Sequence, residues 1–594
     1  MIQRFLVTTA DERTWPTDQP ILFLGEWCRL YDRKNVWQNM DAEVVPYHWD
    51  DRQKFHRDYI YLRGLYEELL RELTEQLNSI HGVRYSLRYW RILVGPWLGY
   101  FVQMLFDRWS MVERATSSYT VSGARVLDIQ TERLIPNDTD HFNKLFIGDP
   151  WNEMIYGQLL HDFTSVHVDK CLCSFAEESA VPAIPTLPVT RWLKSKLAST
   201  VSYVSQILSN DDDFFTHCSY LPHKQDFLLQ LRMGQMPKLW RSFATPKVDV
   251  NWAKRQWKMD QSGVEGFSNI VRAMIPKHIP ALYLEGYDLL QERCTALPWP
   301  KSPPVIFTSN SHNSDDLFKG WAADKVEDGS VLVVGQHGGI YGTALWNFNE
   351  DHENAISDAW LSWGWEGVGN NKTEPVCNLK MIGRHLCWNP QGSALMVEMM
   401  LSRYSDFMFS APISSQLLDY FEDQFRFVAA LPHDLRRQLL VRLFGCDYGW
   451  CQKLRWKDRF TDIHLDDGVA PIKSLVEKSR LYISTYNATT LLESLCMNVP
   501  TIIFWNPVFW SLRDNAIPYF NRLKEVGIFH DTPESAAAKM VEVWDDVPCW
   551  WSQPKIQKAR RYFCDQFSRT VDNPIQLLKQ TLNKVACQAR KESK

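Results

Sequence analysis

Two rhythms of apolar residues alternate along the chain. Short continuous runs of Val, Ile, Leu and Phe predict strands buried on both faces, and longer segments with apolar residues at every third or fourth position predict helices that bury one stripe. Near the N-terminus, residues 4–10 and 21–24 are runs of the first kind. Phe55, Tyr59, Leu62, Leu69, Leu73 and Leu77 then recur at helical spacing, a core-facing stripe that stops at Gly82. Leu145, Phe146 and Ile147 read as a further strand, and residues 199–293 as mostly helical. Pro298, Pro300, Pro303 and Pro304 close this region, because proline ends helices and favours extended chain.

Beyond the prolines the alternation is more regular. Strands are predicted at 305–309, 331–334, 406–410, 480–485 and 501–505, with helices at 315–325, 472–478 and 488–496. Strand and helix in alternation describe an α/β fold with parallel sheets covered on both faces. In such sheets ligands bind beyond the carboxyl ends of the strands.

Composition narrows the class. The 594 residues are 45% hydrophobic and 23% charged, enough to bury large cores, so neither a disordered chain nor a disulfide-stapled miniprotein fits. The formal charge of −5 is spread along the chain, with no basic stripe for nucleic acid. Thirteen cysteines include no CxxC pair, and Cys171 and Cys173 stand too close for a zinc ribbon, which suits a reducing cytoplasm. The start of the chain lacks signal-peptide features, and the apolar stretch 92–106 is shorter than the roughly 20 residues a membrane span needs. In the tail, Ile575, Leu578, Leu582, Val585 and Ala586 share a helical face beside Lys579 and Lys584. Two readings are open: a helix docked on the N-terminal domain, which is preferred, or a peripheral contact with the inner face of a membrane.

The strongest chemical signal follows the run Val331 to Val334. Gly335, Gln336, His337, Gly338, Gly339, Tyr341 and Gly342 form a loop whose backbone amides would attract phosphate, with His337 as the catalytic candidate. It is neither a Walker loop nor a dinucleotide fingerprint. A second signal is Tyr486, Asn487, Thr489, Thr490 and Glu493, a polar loop opening a helix, where Glu493 lies one turn beyond Thr489 and is placed to accept from ribose hydroxyls. At the end of residues 305–309, Ser309, Asn310 and His312 should stand beside the glycine loop. Asp315 and Asp316 read as first-turn helix acids rather than metal ligands, and Asp138 with Asp140, or Asp211 with Asp213, as solvated turns rather than DxD motifs. Glu26, after an early strand, is the candidate base across the cleft.

With these residues in hand, residues 484–504 resemble the nucleotide-binding half of a GT-B glycosyltransferase. The runs Thr308 to His312, Phe318 to Ala322, Val334 to Gly342, Ser362 to Trp365 and Tyr486 to Glu493 resemble a bacterial transferase family associated with O-antigen and surface-polysaccharide synthesis, similar in pattern to CMP-nonulosonic acid and Kdo transferases. The resemblance implies two Rossmann-like domains facing a cleft: 1–300 on the acceptor side with large helical insertions, 301–552 binding the nucleotide-sugar, and 553–594 packing back on the first. It implies a CMP-activated acidic sugar as donor, a glycan or lipid-linked glycan as acceptor, no nucleic-acid partner, and no cofactor or metal beyond the co-substrate. His337, Gly338 and Gly339 would handle the donor phosphate with Gln336 and Tyr341 nearby, and Tyr486, Asn487, Thr489, Thr490 and Glu493 would hold the nucleotide. Arg384 and Arg513 are candidates for the donor's negative charge. A UDP-sugar epimerase, a CDP-polyol phosphotransferase and a non-catalytic scaffold are the alternatives.

Overall fold

The computed structural model describes residues 2–172, 210–238, 241–260, 265–367 and 372–592. Within them the strands form three all-parallel sheets. Sheet 1 contains β1 (Arg4–Val7), β2 (Ile21–Phe23), β3 (Ala42–Val44), β4 (Val121–Asp128) and β5 (Val168–Leu172), in the order β3-β2-β1-β4-β5. Sheet 2 contains β6 (Phe215–His217), β7 (Val305–Thr308), β8 (Val331–Gly335), β9 (Ala359–Ser362) and β10 (Thr373–Pro375), laid side by side in chain order. Sheet 3 contains β11 (Ser393–Val397), β12 (Leu439–Arg442), β13 (His464–Asp466), β14 (Ser479–Ser484), β15 (Thr501–Phe504) and β16 (Phe529–His530), in the order β13-β12-β11-β14-β15-β16.

In sheet 3 the order reverses between β11 and β14, which opens a crevice at their carboxyl ends. Sheet 1 reverses in the same way between β1 and β4, but its crevice is filled from within the protein. Glu153 accepts from the Thr9 hydroxyl at 2.6 Å, the Thr8 hydroxyl at 3.2 Å and the Leu127 amide at 3.2 Å. Burial pushes its pKa up to about 7.

Two long helices join the sheets. The stripe of sequence apolar residues becomes the helix Arg52–His81, ended by Gly82 at φ 65°, a left-handed cap that glycine adopts without strain. The helix Leu87–Ser118 starts with the Ser86 hydroxyl accepting from the Tyr89 amide and is buried nearly all round, so the apolar stretch 92–106 is a core helix; no helix among the described residues is long and apolar enough to cross a membrane. Arg108, fully buried, binds Asp107 (2.7 Å), Asn152 (2.9 Å) and the Ser405 carbonyl (2.7 Å), tying this helix to sheet 1 and to the loop after β11.

Several expectations need correction. The proline run is no boundary between domains: β6, from the first half, pairs with β7 through Phe215 and Ile306, so sheet 2 spans both sides of residue 300. Residues 301–552 hold most of sheet 2 as well as all of sheet 3. Residues 145–147 end a helix, Thr139–Leu145, which begins because the Asp138 carboxylate accepts from the His141 amide. Residues 406–410 are not a strand; the Met408 amide is taken by the Gln103 side chain at 2.7 Å, and Phe409 makes only an isolated bridge with Asn347. The helical reading of 199–293 fails at β6 and over 241–250, which form no helix or strand, and 199–209, 239–240 and 261–264 lie outside the described residues.

The last helix, Pro574–Glu592, packs on sheet 2 and on the helix His223–Met233 of the 1–300 segment. Ile575, Leu578, Leu582, Val585 and Ala586 are buried against Val305, Phe307, Val331 and Leu361. Lys579 donates to the Arg232 carbonyl and Lys584 pairs with Glu374 at 2.7 Å. The apolar face proposed for a membrane is therefore consumed by the core. Sheets 2 and 3, with loops at their carboxyl ends in contact and a terminal helix returning across them, make the GT-B-like pair of Rossmann-like units; sheet 1 is an additional parallel α/β layer.

Candidate functional site

The site forms where the loop after β8 meets the helix after β14. Gln336 fixes the turn: its Oε1 accepts from the Trp363 amide and Trp365 Nε1, both at 2.9 Å, and its Nε2 donates to the Gly338 carbonyl at 2.8 Å. Gln336 is thus engaged by the protein and positions the loop. Gly339 lies against the start of the helix Thr489–Cys496. A Cβ there would sit 2.2 Å from the Ala488 carbonyl carbon, so only glycine allows the approach, and the Gly339 amide donates to Thr489 Oγ1 at 3.1 Å. Asn487 Nδ2 donates across the same seam to Thr343 Oγ1 at 3.0 Å.

At the centre stands a residue absent from the expected set, Glu353. It lies on the helix Phe348–Ile356, which Asn347 caps through the Asn349 and Glu350 amides. Glu353 is 1% exposed. It accepts from the Tyr341 hydroxyl at 2.6 Å and Trp360 Nε1 at 3.0 Å, with His312 Nε2 at 3.2 Å and His337 Nδ1 at 3.6 Å. Burial alone would raise its pKa, but His337 and His312 outweigh it and hold the carboxyl below its ordinary value. Burial lowers the His337 pKa, against the pull of Glu353, so the imidazole is neutral near pH 7. The Tyr341 hydroxyl lies 3.1 Å from His337 Nε2, and burial with Glu353 pushes that phenol well up. His337 keeps 17% of its side chain exposed, and the ring of Tyr220, at φ 63°, packs 5.9 Å from it. Sequence offered little sign of Glu353: within Asn349 to Asn354 it reads as a solvated acidic helix.

The ends of β6 and β7 complete this wall. The Ser309 amide donates to the Cys218 carbonyl at 3.0 Å and its hydroxyl to the Ser219 carbonyl at 3.1 Å, while Asn310 is exposed at the mouth. Ser309 and His312 therefore stand beside the glycine loop, as their strand predicted. The acids serve the fold. Asp315 caps the helix Asp316–Glu327 through the Phe318 amide; Asp316, fully buried, pairs with Lys319 at 2.8 Å; Asp213 pairs with Lys238 at 2.7 Å; Asp140 pairs with Lys144.

The helix Thr489–Cys496 has no side-chain cap, so its first amides remain available for an anion. Thr489 faces Gly339, whereas Thr490 and Glu493, one turn apart, line a cavity of about 390 Å³ with Arg384, Lys473 and Tyr482. Glu493 and Thr489 thus look at different neighbours. Thr490 Oγ1 donates to the Tyr486 hydroxyl at 2.9 Å, and Glu493 pairs with Lys380 at 2.6 Å. Asn487 Oδ1 is buried without a hydrogen-bond partner in the described residues. Arg513 is committed elsewhere, to Glu350 at 2.7 Å and the Ala344 carbonyl at 2.6 Å.

Glu26 does not join this assembly. It ends β2's loop in sheet 1 and is clasped by Arg29, while its neighbour Trp27 receives Arg403 on its carbonyl. The described contacts of Glu26 do not reach the His337 loop; the loops around it meet Arg403, Arg455 and Asp458 instead, through Trp27, Tyr31 and Lys34.

The sequence matches the LIC12162 family transferase over residues 4–582, and the chain belongs to that family. None of the curated proteins matches it. Among solved structures, the chain is similar to the pneumococcal O-GlcNAc transferase GtfA in complex with UDP and GlcNAc, at 11% identity and a TM-score of 0.33 over 50% of this chain. It spans 59% of that protein's length. It is also similar to UGT89C1 of Arabidopsis thaliana complexed with quercetin (12% identity, TM-score 0.33, 62% of this chain and 96% of that one). A variant of the wall teichoic acid polymerase TagF follows (12% identity, TM-score 0.27, 49% of this chain and 75% of that one).

Proposed function

We propose that this member of the LIC12162 transferase family moves a sugar from a nucleotide-activated donor, a CMP-linked acidic sugar, to a glycan hydroxyl in surface-polysaccharide assembly. The observation that carries the reading is His337, neutral and partly exposed, backed by the buried Glu353, on the same loop as Gly339, which touches an uncapped helix N-terminus. A neutral imidazole held by a carboxylate is suited to take a proton from the acceptor hydroxyl, and Glu353 then stabilises the imidazolium. The hydroxyl oxygen bonds to the anomeric carbon as the bond from that carbon to the phosphate oxygen breaks, and the nucleotide leaves with the electron pair. The Gly338 amide and the first amides of the helix Thr489–Cys496 would stabilise the departing charge.

In this reading the nucleoside would occupy the 390 Å³ cavity, where Glu493 would exchange Lys380 for ribose hydroxyls and Arg384 lines the wall. The choice of cytidine is supported by the sequence resemblance to CMP-sugar transferases. A thermal-shift screen against CMP, CDP, UDP, GDP and TDP tests the donor; a ligand at 100 times its dissociation constant should stabilise the fold by roughly 2.7 kcal/mol. His337→Ala should then bind the same nucleotide but lose transfer by about 10²- to 10⁴-fold. Transfer within about twofold of wild type would remove His337 from the chemistry.

A further inference from the structure

Strand β6 runs out into two residues that the transfer chemistry does not use, His217 and Cys218. His217 is 5% exposed, and its Nε2 lies 3.0 Å from Ser242 Oγ and 3.7 Å from Asp315 Oδ2. Asp315 is fixed in turn, because its other oxygen accepts from the Phe318 amide at 3.0 Å. Cys218 follows at φ 47°, in the left-handed region that residues with a Cβ avoid, and Tyr220 repeats the departure at φ 63°. Such backbone persists only where the surroundings hold it, and here the wall of the His337 site does so. The Cys218 carbonyl accepts from the Ser309 amide at 3.0 Å, the Ser219 carbonyl accepts from the Ser309 hydroxyl at 3.1 Å, and the Tyr220 ring packs 5.9 Å from that of His337.

The turn leaves Cys218 exposed beside a cation. Burial alone would lower the His217 pKa, but Asp315 and Cys218 outweigh it and lift it to about 9, so the imidazole keeps its proton at neutral pH. The same ring, helped by the Ser311 hydroxyl, draws the Cys218 thiol below its ordinary value, against burial and the repulsion of Asp315. Exposure and a charged partner are thus joined at one sulfur. Cys28, Cys294, Cys377 and Cys564 are buried, and burial raises each of their thiols. Cys387, Cys549 and Cys587 are exposed like Cys218 and give a reference within the same chain. The thiolate is the reacting form of cysteine, and a free thiol is only a few per cent thiolate near pH 7, so a sulfur held against an imidazolium meets electrophiles already ionised.

We propose that Cys218 is a redox modification site, a nucleophilic thiolate at the wall of the transfer site that hydrogen peroxide converts to a sulfenic acid. The sulfur attacks one peroxide oxygen; the S–O bond forms as the O–O bond breaks, and the leaving hydroxide takes the His217 proton and departs as water. Sulfur gives up two electrons and the peroxide accepts them. The reactive thiolate stands on its own geometry, whereas its effect on transfer rests on the function proposed above: the oxygen is added at the turn against which Ser309 and His337 pack. Iodoacetamide labelling of the full chain near pH 7, read by peptide mass mapping, should alkylate Cys218 about tenfold faster than Cys387, Cys549 and Cys587, and His217→Gln should remove the advantage. Peroxide followed by dimedone should leave the adduct on Cys218. Transfer should be lost in peroxide and return with dithiothreitol, while Cys218→Ser should start at the wild-type rate and keep it in peroxide. Equal labelling of the four cysteines, an advantage kept in folded His217→Gln, or no dimedone adduct on Cys218 would each overturn the site. The first and last of these are read on the wild-type chain, so they decide even if His217→Gln does not fold. Peroxide that stops Cys218→Ser as it stops wild type would overturn the link to transfer. Fast labelling and a dimedone adduct in a chain that transfers nothing would sink the transfer reading and uphold the modification site.

Discussion

Replacing Glu353 by Gln keeps its shape and removes its charge. The wild-type carboxylate accepts from Tyr341 at 2.6 Å and Trp360 at 3.0 Å, and sits 3.6 Å from His337. Glutamine has one acceptor oxygen, so its NH₂ must face one of these donors and leave it unpaired, at about 1–3 kcal/mol. The lost attraction for a protonated His337 across 3.6 Å is about 1 kcal/mol at a dielectric near 80 and about 5 kcal/mol near 20. Transfer should therefore fall by on the order of 10²- to 10³-fold, inside the usual span of general-base catalysis. Nucleotide affinity should be unchanged, because Glu353 does not line the 390 Å³ cavity. The wild-type carboxyl is held below its ordinary value of 4.5, so it stabilises the fold above that pH and the benefit is lost as pH falls through the folded value; Glu353→Gln should lack this acid-dependent component. Acceptor-dependent nucleotide release, calorimetry with nucleotide and urea titrations at neutral and acid pH measure the three effects. Turnover within about twofold of wild type in a variant of normal stability would refute the role given to Glu353.

Glu493→Gln should weaken nucleotide binding and leave turnover at saturating donor nearly intact, since a ribose contact is made equally in ground and transition states; equal calorimetric affinities would show that the nucleoside sits elsewhere. Leu578→Ala, at a fully buried position against sheet 2, should cost about 2–5 kcal/mol in urea unfolding, and the wild-type protein should not cosediment with anionic liposomes through this helix. Glu398, 2% exposed and accepting from Trp456 Nε1 at 3.1 Å, has its pKa pushed up to about 8 by burial. A raised carboxyl stabilises the fold below its ordinary 4.5 and the benefit is lost as pH rises to about 8, a change of about 5 kcal/mol across that window. Glu398→Gln should flatten the fall, and an unchanged pH profile of melting would show that Glu398 is ionised in the fold.

Local order was legible from local pattern. The stripe from Phe55 to Leu77 and the glycine at 82 specify the helix Arg52–His81, because periodicity and a left-handed cap are properties of neighbouring residues. The apolar runs that became β7, β8, β14 and β15 were equally plain, and with them the parallel α/β class and the edge where His337, Thr490 and Glu493 stand. β9 and β11 were not foreseen, although β11 lies at the centre of sheet 3.

Tertiary structure decided whatever depends on partners distant in the chain. That 215–217 pairs with 305–308, and so removes the boundary at 300, follows from strand pairing across some 90 residues of intervening chain. Arg384 and Glu493 were both candidates on their own segments, but only folding puts them around one cavity, while Arg513 and Glu26 are drawn off to Glu350 and Arg29. Glu353 makes the point most sharply. In sequence it is one acid among polar neighbours; in the fold it is a buried charge, tolerated because Tyr341, Trp360, His312 and His337 surround it. A charge can be kept from water only where several partners compensate it, and those partners are assembled by packing, which no local pattern records.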